Sequence, residues 1–520
     1  MSLFPIHARG KRVRFVQVGA AGLAAALIAG CGGTFRPIVT PVSPSGPAAQ
    51  PSSLAVVVSS PSTISPGIAT VIDYSGDSVA ATTPIGPGPL DFSLDANGVT
   101  GYTVNSDGTL TNFPVSTQLQ EKNVTFSTLP TTAQTVGLFS PSAGLWVADL
   151  TGNVIDVLTG SPETFKLSIP VAPTPVAVFG SGLGGARYFS ISLNSTGTPA
   201  GSAIAYADMT CNTAPSTVTQ NGEWDAIETA GFTVSSRLPL GKCPVYAVTS
   251  NDGNRLFVLN RGSDTVSVIN IPDATQDQCT PFLNQNGQQV ICHPTLPLST
   301  TAVTATGITP PNGTAGMTAV AGPVYAEYNA VTQQLVVADY DGGTISIIDV
   351  SLDEFGNDSQ TFGTTYTVKV GNTATPNPAA VTVLFDGSRA YTANQNDDAS
   401  GAGNGTVSIV NLASHAVEKT LGVVGHPRTV VSTQNSLFGK VYVASPDSSE
   451  VTILRTDEDV VDTTVLVQGN VVDVRTTSQN GVSGNAVITS RRPGAGQPCY
   501  LPGAAHEDNL ADCQTLPPPQ

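Results

Sequence analysis

Short stretches in which apolar residues alternate with small polar ones, each closed by a polar turn, recur along most of this chain. Residues 251–270, "NDGNRLFVLNRGSDTVSVIN", show the unit: a turn, the strand "LFVLN" from 256, a second turn, and "DTVSVIN" from 264. The first strand recurs as "LWVAD" at 145, "LVVAD" at 335, "AYTAN" at 390, "VYVAS" at 441 and "AVITS" at 486. The second recurs as "NVIDVL" from 153, "GTISIID" from 343, "GTVSIVN" from 405 and "EVTILR" from 450. Period-two alternation is the mark of a strand with one face toward a core. Each pair is preceded by another short apolar strand, as in "CPVYAVTS", "GPVYAEYN", "PAAVTVLF" and "HPRTVVST", and followed by one such as "YTVKVG".

The spacing decides what the units build. Leu335 to Ala390 is 55 residues, Ala390 to Val441 is 51 and Val441 to Ala486 is 45, close to the roughly 40–50 residues of propeller repeats. Leu256 to Leu335 is 79, the surplus being an insertion around Cys279 and Cys292, and Leu145 to Leu256 is 111, room for two repeats with "ARYFSIS" at 186 and "SAIAYADM" at 202 as the hairpin between. Four strands make one blade, a twisted sheet that buries both faces only when stacked on its neighbours. The expected fold is therefore all-β, a single propeller of about seven to eight four-stranded blades. Sets of strands starting near 89, 133, 174, 244, 322, 378, 428 and 471 give eight. The last set has only "VVDVRTTS" and "NAVITS", and "ATVIDY" and "SVAATTP" near 69–84 are expected to complete it, closing the ring through the two chain ends and leaving no open sheet edge there.

Between about residues 130 and 470 the chain resembles the bacterial propeller repeat named for a Tyr-Val-Thr-Asn strand. Residues 244–270 carry its Pro244, its Asn251-Asp252-Gly253 turn and the two following strands, and 378–411 carry "FDGSRAYTAN" and "GTVSIVN". The resemblance implies a propeller of the surface-layer-like and lactonase-like kind. It implies no particular chemistry, since one fold hosts many roles.

Composition agrees with a turn-rich β protein: 11% of the residues are charged, 40% are hydrophobic, and there are 52 Gly and 39 Pro. The formal charge is -17, and because Arg9, Lys11, Arg12 and Arg14 are the charged residues before position 31, loss of that segment leaves -21. Such a chain repels nucleic-acid phosphates, so no nucleic-acid partner is expected. The N-terminus has a basic stretch, the apolar "VQVGAAGLAAALIAG", too short to span a bilayer as a helix, and then Cys31. "LIAG" before Cys31 resembles the bacterial lipobox, which implies cleavage before Cys31 and a diacylglycerol on its sulfur; the alternative is an ordinary secretory signal with an incidental cysteine. Gly32 after the cysteine implies the outer membrane in that family's sorting pattern. The expected organisation is a signal peptide at 1–30, the lipidated cysteine and a Pro/Ser-rich tether at 31–53, the propeller at 54–492 and a disulfide-pinned tail at 493–520.

Export also accounts for Cys211, Cys243, Cys279, Cys292, Cys499 and Cys513, which fall as neighbouring pairs. Six cysteines allow 15 pairings, and local closure (211 with 243, 279 with 292, 499 with 513) is the expectation. Adjacent Cys292 and His293 lack the spacing of a metal site.

Few stretches suggest chemistry. "GSGLGG", 180–185, fits a dinucleotide motif but runs into a strand rather than a helix, so it reads as a turn. Asn396, Asp397 and Asp398 in "NQNDDASGAGNG" offer oxygen ligands for calcium, against a plain hairpin turn. His426 in "GHPRT" and Arg428 are candidates to face the central channel. There is no GxSxG, and two tryptophans, Trp146 and Trp224, argue against a quinone-dependent dehydrogenase with its repeated tryptophan docking motifs. No cofactor is implied. The leading reading is a monomeric, lipid-anchored envelope propeller that binds a protein or a glycan without catalysis. The alternative is a lactonase-like enzyme using residues of the channel. A structural surface-layer component is a third reading, which the charge discourages.

Overall fold

A computed structural model describes residues 54–477, apart from several short stretches and the longer ones 200–218, 272–281 and 299–320. It is an eight-bladed propeller in which each blade is a four-stranded antiparallel sheet. Blade 1 joins Leu54–Ser60, Pro66–Asp73 and Ser78–Pro87 to Asn470–Thr476 from the far end of the chain. Blades 2 to 8 follow in order over 89–128, 135–170, 175–239, 244–297, 323–369, 378–422 and 429–466. The first strand of each blade in ring order is innermost and packs on the innermost strands of both neighbours, from Pro89–Leu94 round to Thr429–Ser432 and Asn470–Thr476. Two faces result. The upper face carries the connections between blades and the turns from second to third strand; the lower face carries the other two turns of each blade.

The side chains explain why the repeat reads as it does. In blades 2, 5 and 7 the second strand ends in an asparagine whose amide donates to two hydroxyls, two residues apart, on the third strand. Asn105 reaches Thr109 at 3.1 Å and Thr111 at 2.8 Å, Asn260 reaches Thr265 and Ser267, and Asn394 reaches Thr406 and Ser408. A threonine two residues earlier donates to the same asparagine's oxygen, Thr103 in blade 2 and Thr392 in blade 7. Blade 5 has Val258 at that place, and Asn260 Oδ1 is buried without a hydrogen-bond partner among the described residues. The third strand then holds the segment that enters its blade: Thr111 Oγ1 accepts from Gly86 N, Asp225 Oδ2 from Ala172 N and Ser408 Oγ from Gly371 N. Buried backbone groups at the blade junctions are thereby satisfied. Apolar clusters fill the space between blades, one of them continuous from blade 5 to blade 8; at about 1.5–3 kcal/mol per large buried side chain, this stacking is the main stabilising term.

Two expectations need correction. The third strand of blade 4 is Glu223–Glu228, paired to Arg187–Ser192, and not the segment at 202, which lies outside the described residues. The carboxylates of "EWDAIE" disguised a strand whose first five residues are buried; Glu223 and Asp225 are accommodated by Thr196, Arg237 and the Ala172 N–H. The ring does close through both chain ends, but with three N-terminal strands and one C-terminal strand. Leu54–Ser60 takes the place assigned to "NAVITS", pairing with Asn470–Thr476 on one side and Pro66–Asp73 on the other. Residues 478–520, with "NAVITS" and the tail, lie outside the described residues.

Candidate functional site

The innermost strands wall the central channel, and the described ones carry four carboxylate or guanidinium groups: Asp91, Glu327, Asp473 and Arg475. All four are buried and engaged. Glu327 Oε2 accepts from Val383 N at 2.9 Å and from Thr382 Oγ1 at 3.2 Å on the next blade. Thr382 Oγ1 continues to Ser432 Oγ at 3.1 Å, and Thr476 Oγ1 donates to Ser432 O. Asp91 accepts from its neighbour Phe92 N and from Leu138 N of blade 3. Asp473 pairs with Arg475 two residues on at 3.0 Å, and that guanidinium lies over the Phe92 ring. These groups form a polar belt along part of the ring, from the innermost strand of blade 6 through blades 7, 8, 1 and 2 to blade 3.

His426 and Arg428 stand where the chain enters blade 8 on the upper face. His426 Nδ1 lies 2.7 Å from Asp447 Oδ2, and His426 N donates to Asp447 Oδ1. This turn demands Gly425: its φ is +69°, and a Cβ there would stand 2.7 Å from the same carboxylate. Arg428 Nη2 donates to Val472 O at 2.9 Å, linking the start of blade 8 to the innermost strand of blade 1. Both side chains are buried. A carboxylate-oriented imidazole is one component of general acid–base catalysis.

Sequence reasoning missed three residues nearby. Arg261 makes a bidentate pair with Asp341, at 2.8 and 3.0 Å, and lies over the Tyr340 ring. Gln395 is fully buried, and neither amide atom has a hydrogen-bond partner among the described residues. Arg261, Tyr340 and Gln395 each follow the terminal Asn or Asp of a second strand, a register that was available as a signal.

The calcium candidates lie in the turn from the second to the third strand of blade 7, and two of them, Asp397 and Asp398, line a cavity of about 470 Å³ together with Asn404, Thr452 and Val461 among others. Asp397 accepts from Asn372 N, Asn372 Nδ2, Thr373 N and, at 2.5 Å, Thr406 Oγ1. Its oxygens thus hold the connection between blades 6 and 7. Asn396 Nδ2 donates to Asn377 Oδ1 and Tyr340 Oη. No cluster of three or more acidic, histidine or cysteine side chains suited to a metal occurs among the described residues.

Burial pushes two carboxyls up to about 7: Asp225, and Asp339 at the end of the second strand of blade 6. Both are parts of the repeat rather than of the channel. Cys243 is buried and disulfide-bonded; the other candidates, Cys31, Cys211, Cys279, Cys292, Cys499 and Cys513, lie outside the described residues.

No family model and no curated protein matches the sequence. Solved structures do. The dihydro-heme d1 dehydrogenase NirN in complex with DHE is similar with a TM-score of 0.54 and 12% identity, over 84% of this chain and 78% of that one. Apo AztD from Citrobacter koseri is similar with a TM-score of 0.50 and 10% identity, over 82% and 97%. At such identities the likeness concerns the fold alone.

Proposed function

We propose that this protein is an exported, lipid-anchored propeller of the bacterial envelope, in the outer membrane, that binds an envelope protein or glycan through its upper face and performs no catalysis. One observation carries the reading: the acids and the guanidinium on the innermost strands are engaged within the ring, Glu327 and Asp91 with the next blade and Asp473 with Arg475 on its own strand. A catalytic acid or base there would have to leave a structural partner to meet a substrate. Both ends of the ring lie on the lower face, where Leu54 and Thr477 exchange hydrogen bonds at 2.9 Å. A lipid on Cys31 would connect through residues 32–53 to Leu54 on the lower face, which leaves the upper face clear of the point of attachment.

The test is photo-crosslinking in intact cells, with the probe at Asp107 or Asp398 on the upper face or at Val331 on the lower. A discrete adduct from the upper positions alone is expected, and its loss on Cys31→Ala ties it to anchoring. Adducts that do not distinguish the faces overturn the reading. The His426–Asp447 pair favours a second reading, a lactonase-like enzyme. Turnover of simple lactones by the purified ring that His426→Gln abolishes, while the melting temperature holds, would establish it in place of the first.

A further inference from the structure

In blades 2 to 8 the residue that follows the fourth strand donates its N–H to the carbonyl that precedes the third, so the last residue of the fourth strand takes the same place in each of them. Blades 2 to 6 and blade 8 put a side chain there: Thr128, Pro170, Pro239, Pro297, Lys369 and Leu466. Blade 7 puts Gly422. A glycine in a strand often marks a bulge, a backbone that only glycine adopts, or a close approach by another chain segment or a ligand. Gly422 pairs in regular register with Thr406, its φ lies outside the left-handed region, and a Cβ built on it would meet nothing within 4 Å. Bulge, strain and neighbouring backbone are thereby removed as causes, and what the glycine leaves is open space.

That space is part of the cavity of about 470 Å³ at the junction of blades 7 and 8, which Gly422 lines; the volume falls within the roughly 300–1,000 Å³ of small-ligand sites. The apolar lining is Val423, Val424 and Val461. The polar lining supplies hydrogen-bonding groups of both kinds. Thr452 and Thr464 stand opposite each other on adjacent strands, so their side chains share one face. Asn404 Oδ1 accepts from Gly425 N at 3.0 Å, which leaves the amide hydrogens as donors among the described residues, and Asp398 adds a carboxylate. Asp397 is wall rather than ligand group, because its oxygens already accept from Asn372, Thr373 and Thr406. No lysine, arginine or histidine is among the described residues that line the cavity, so nothing there matches an anion. Hydroxyls that donate to a carboxylate and accept from an amide or a threonine, beside a C–H face that rests on valine, are what a sugar ring offers.

We propose that the cavity between blades 7 and 8 is a subsite for an uncharged sugar of a glycan, with the three valines against the ring and Asp398, Asn404 and the two threonines on its hydroxyls. This rests on the reading of the upper face as a binding surface and names a class of ligand for it.

An array of neutral mono-, di- and trisaccharides, probed with the purified full chain, tests it. At least one sugar should bind, and the same sugar in solution should release it. Gly422→Leu, which gives blade 7 the residue that blade 8 carries at this place and fills the cavity, should weaken that binding by about tenfold. Thr464→Val, at an exposed position, should weaken it severalfold, and neither variant should melt earlier than the native protein. No sugar bound, binding that both variants leave untouched, or binding of spermidine or tripolyphosphate in preference to every sugar overturns the proposal. If no sugar binds while the upper-face adduct at Asp107 still forms in cells, this proposal falls and the binding surface stands; adducts that do not distinguish the faces remove the binding surface itself.

Discussion

At the end of the second strand, blades 2, 5 and 7 place an asparagine that donates to two hydroxyls, whereas blade 6 places Asp339, which accepts from Ser346 Oγ at 2.6 Å and Thr344 Oγ1 at 3.2 Å. The exchange reverses the direction of each hydrogen bond, but it buries a carboxyl whose Oδ1 has no hydrogen-bond partner among the described residues. Burial pushes that carboxyl from 3.8 to about 7. Because the folded value lies above the unfolded one, the stabilising form is the protonated one. Its contribution is full below about pH 4 and is lost as pH rises through about 7. Asp339→Asn should therefore raise the melting temperature at pH 8, by about 2–4 °C, and leave it nearly unchanged at pH 4, as measured by thermal unfolding at both values. Some pH dependence should survive in the variant, because Asp225 is also raised to about 7.

Within a blade, the third strand does more than pair with the second: it holds the chain as it arrives from the preceding blade. Blade 7 shows the device at its fullest, with Ser408 accepting from Gly371 N and Asp397 accepting four hydrogen bonds from Asn372, Thr373 and Thr406. Asp397→Ala should cost about 3 kcal/mol, since several bonds to a buried charged acceptor are lost together, read as a fall in the urea midpoint. Millimolar calcium should leave the midpoint of the native protein unchanged. A calcium-dependent rise would mean that the ion, and not the turn, is what these oxygens serve.

At the scale of the ring, the seam between the two chain ends has its own clasp. Lys440 of blade 8 is buried, donates to Tyr74 O at 2.7 Å and Asp77 Oδ1 at 2.5 Å, and lies 5.0 Å from the centre of the Tyr74 ring. These partners are more than 360 residues away in sequence, so the lysine fixes the N-terminal strands to the last complete blade. Lys440→Met leaves Asp77 uncompensated and should cost on the order of 3 kcal/mol, with the earliest proteolytic cuts falling in 54–87. Cuts distributed evenly around the ring would show that the seam is no weaker than the other junctions.

The sequence alone determined the blade, because period-two alternation and a spacing of 51 to 55 residues from Leu335 through Ala390 to Val441 follow directly from how a strand exposes its side chains and how many strands a blade needs. It also marked His426 and Arg428 by their place before an innermost strand. What it could not decide depends on contacts distant along the chain. The place of "EWDAIE" as the third strand of blade 4 depends on Ala172 N and Arg237, which reach its carboxylates from outside the strand. Three N-terminal strands, rather than two, complete blade 1 because Leu54–Ser60 meets Asn470–Thr476 more than 400 residues later. Glu327, Thr382 and Ser432, each unremarkable in its own strand, become one polar belt only when three blades stand in register. Local pattern encodes the repeat unit, whereas partnership across the ring is set by closure, which no window of sequence contains.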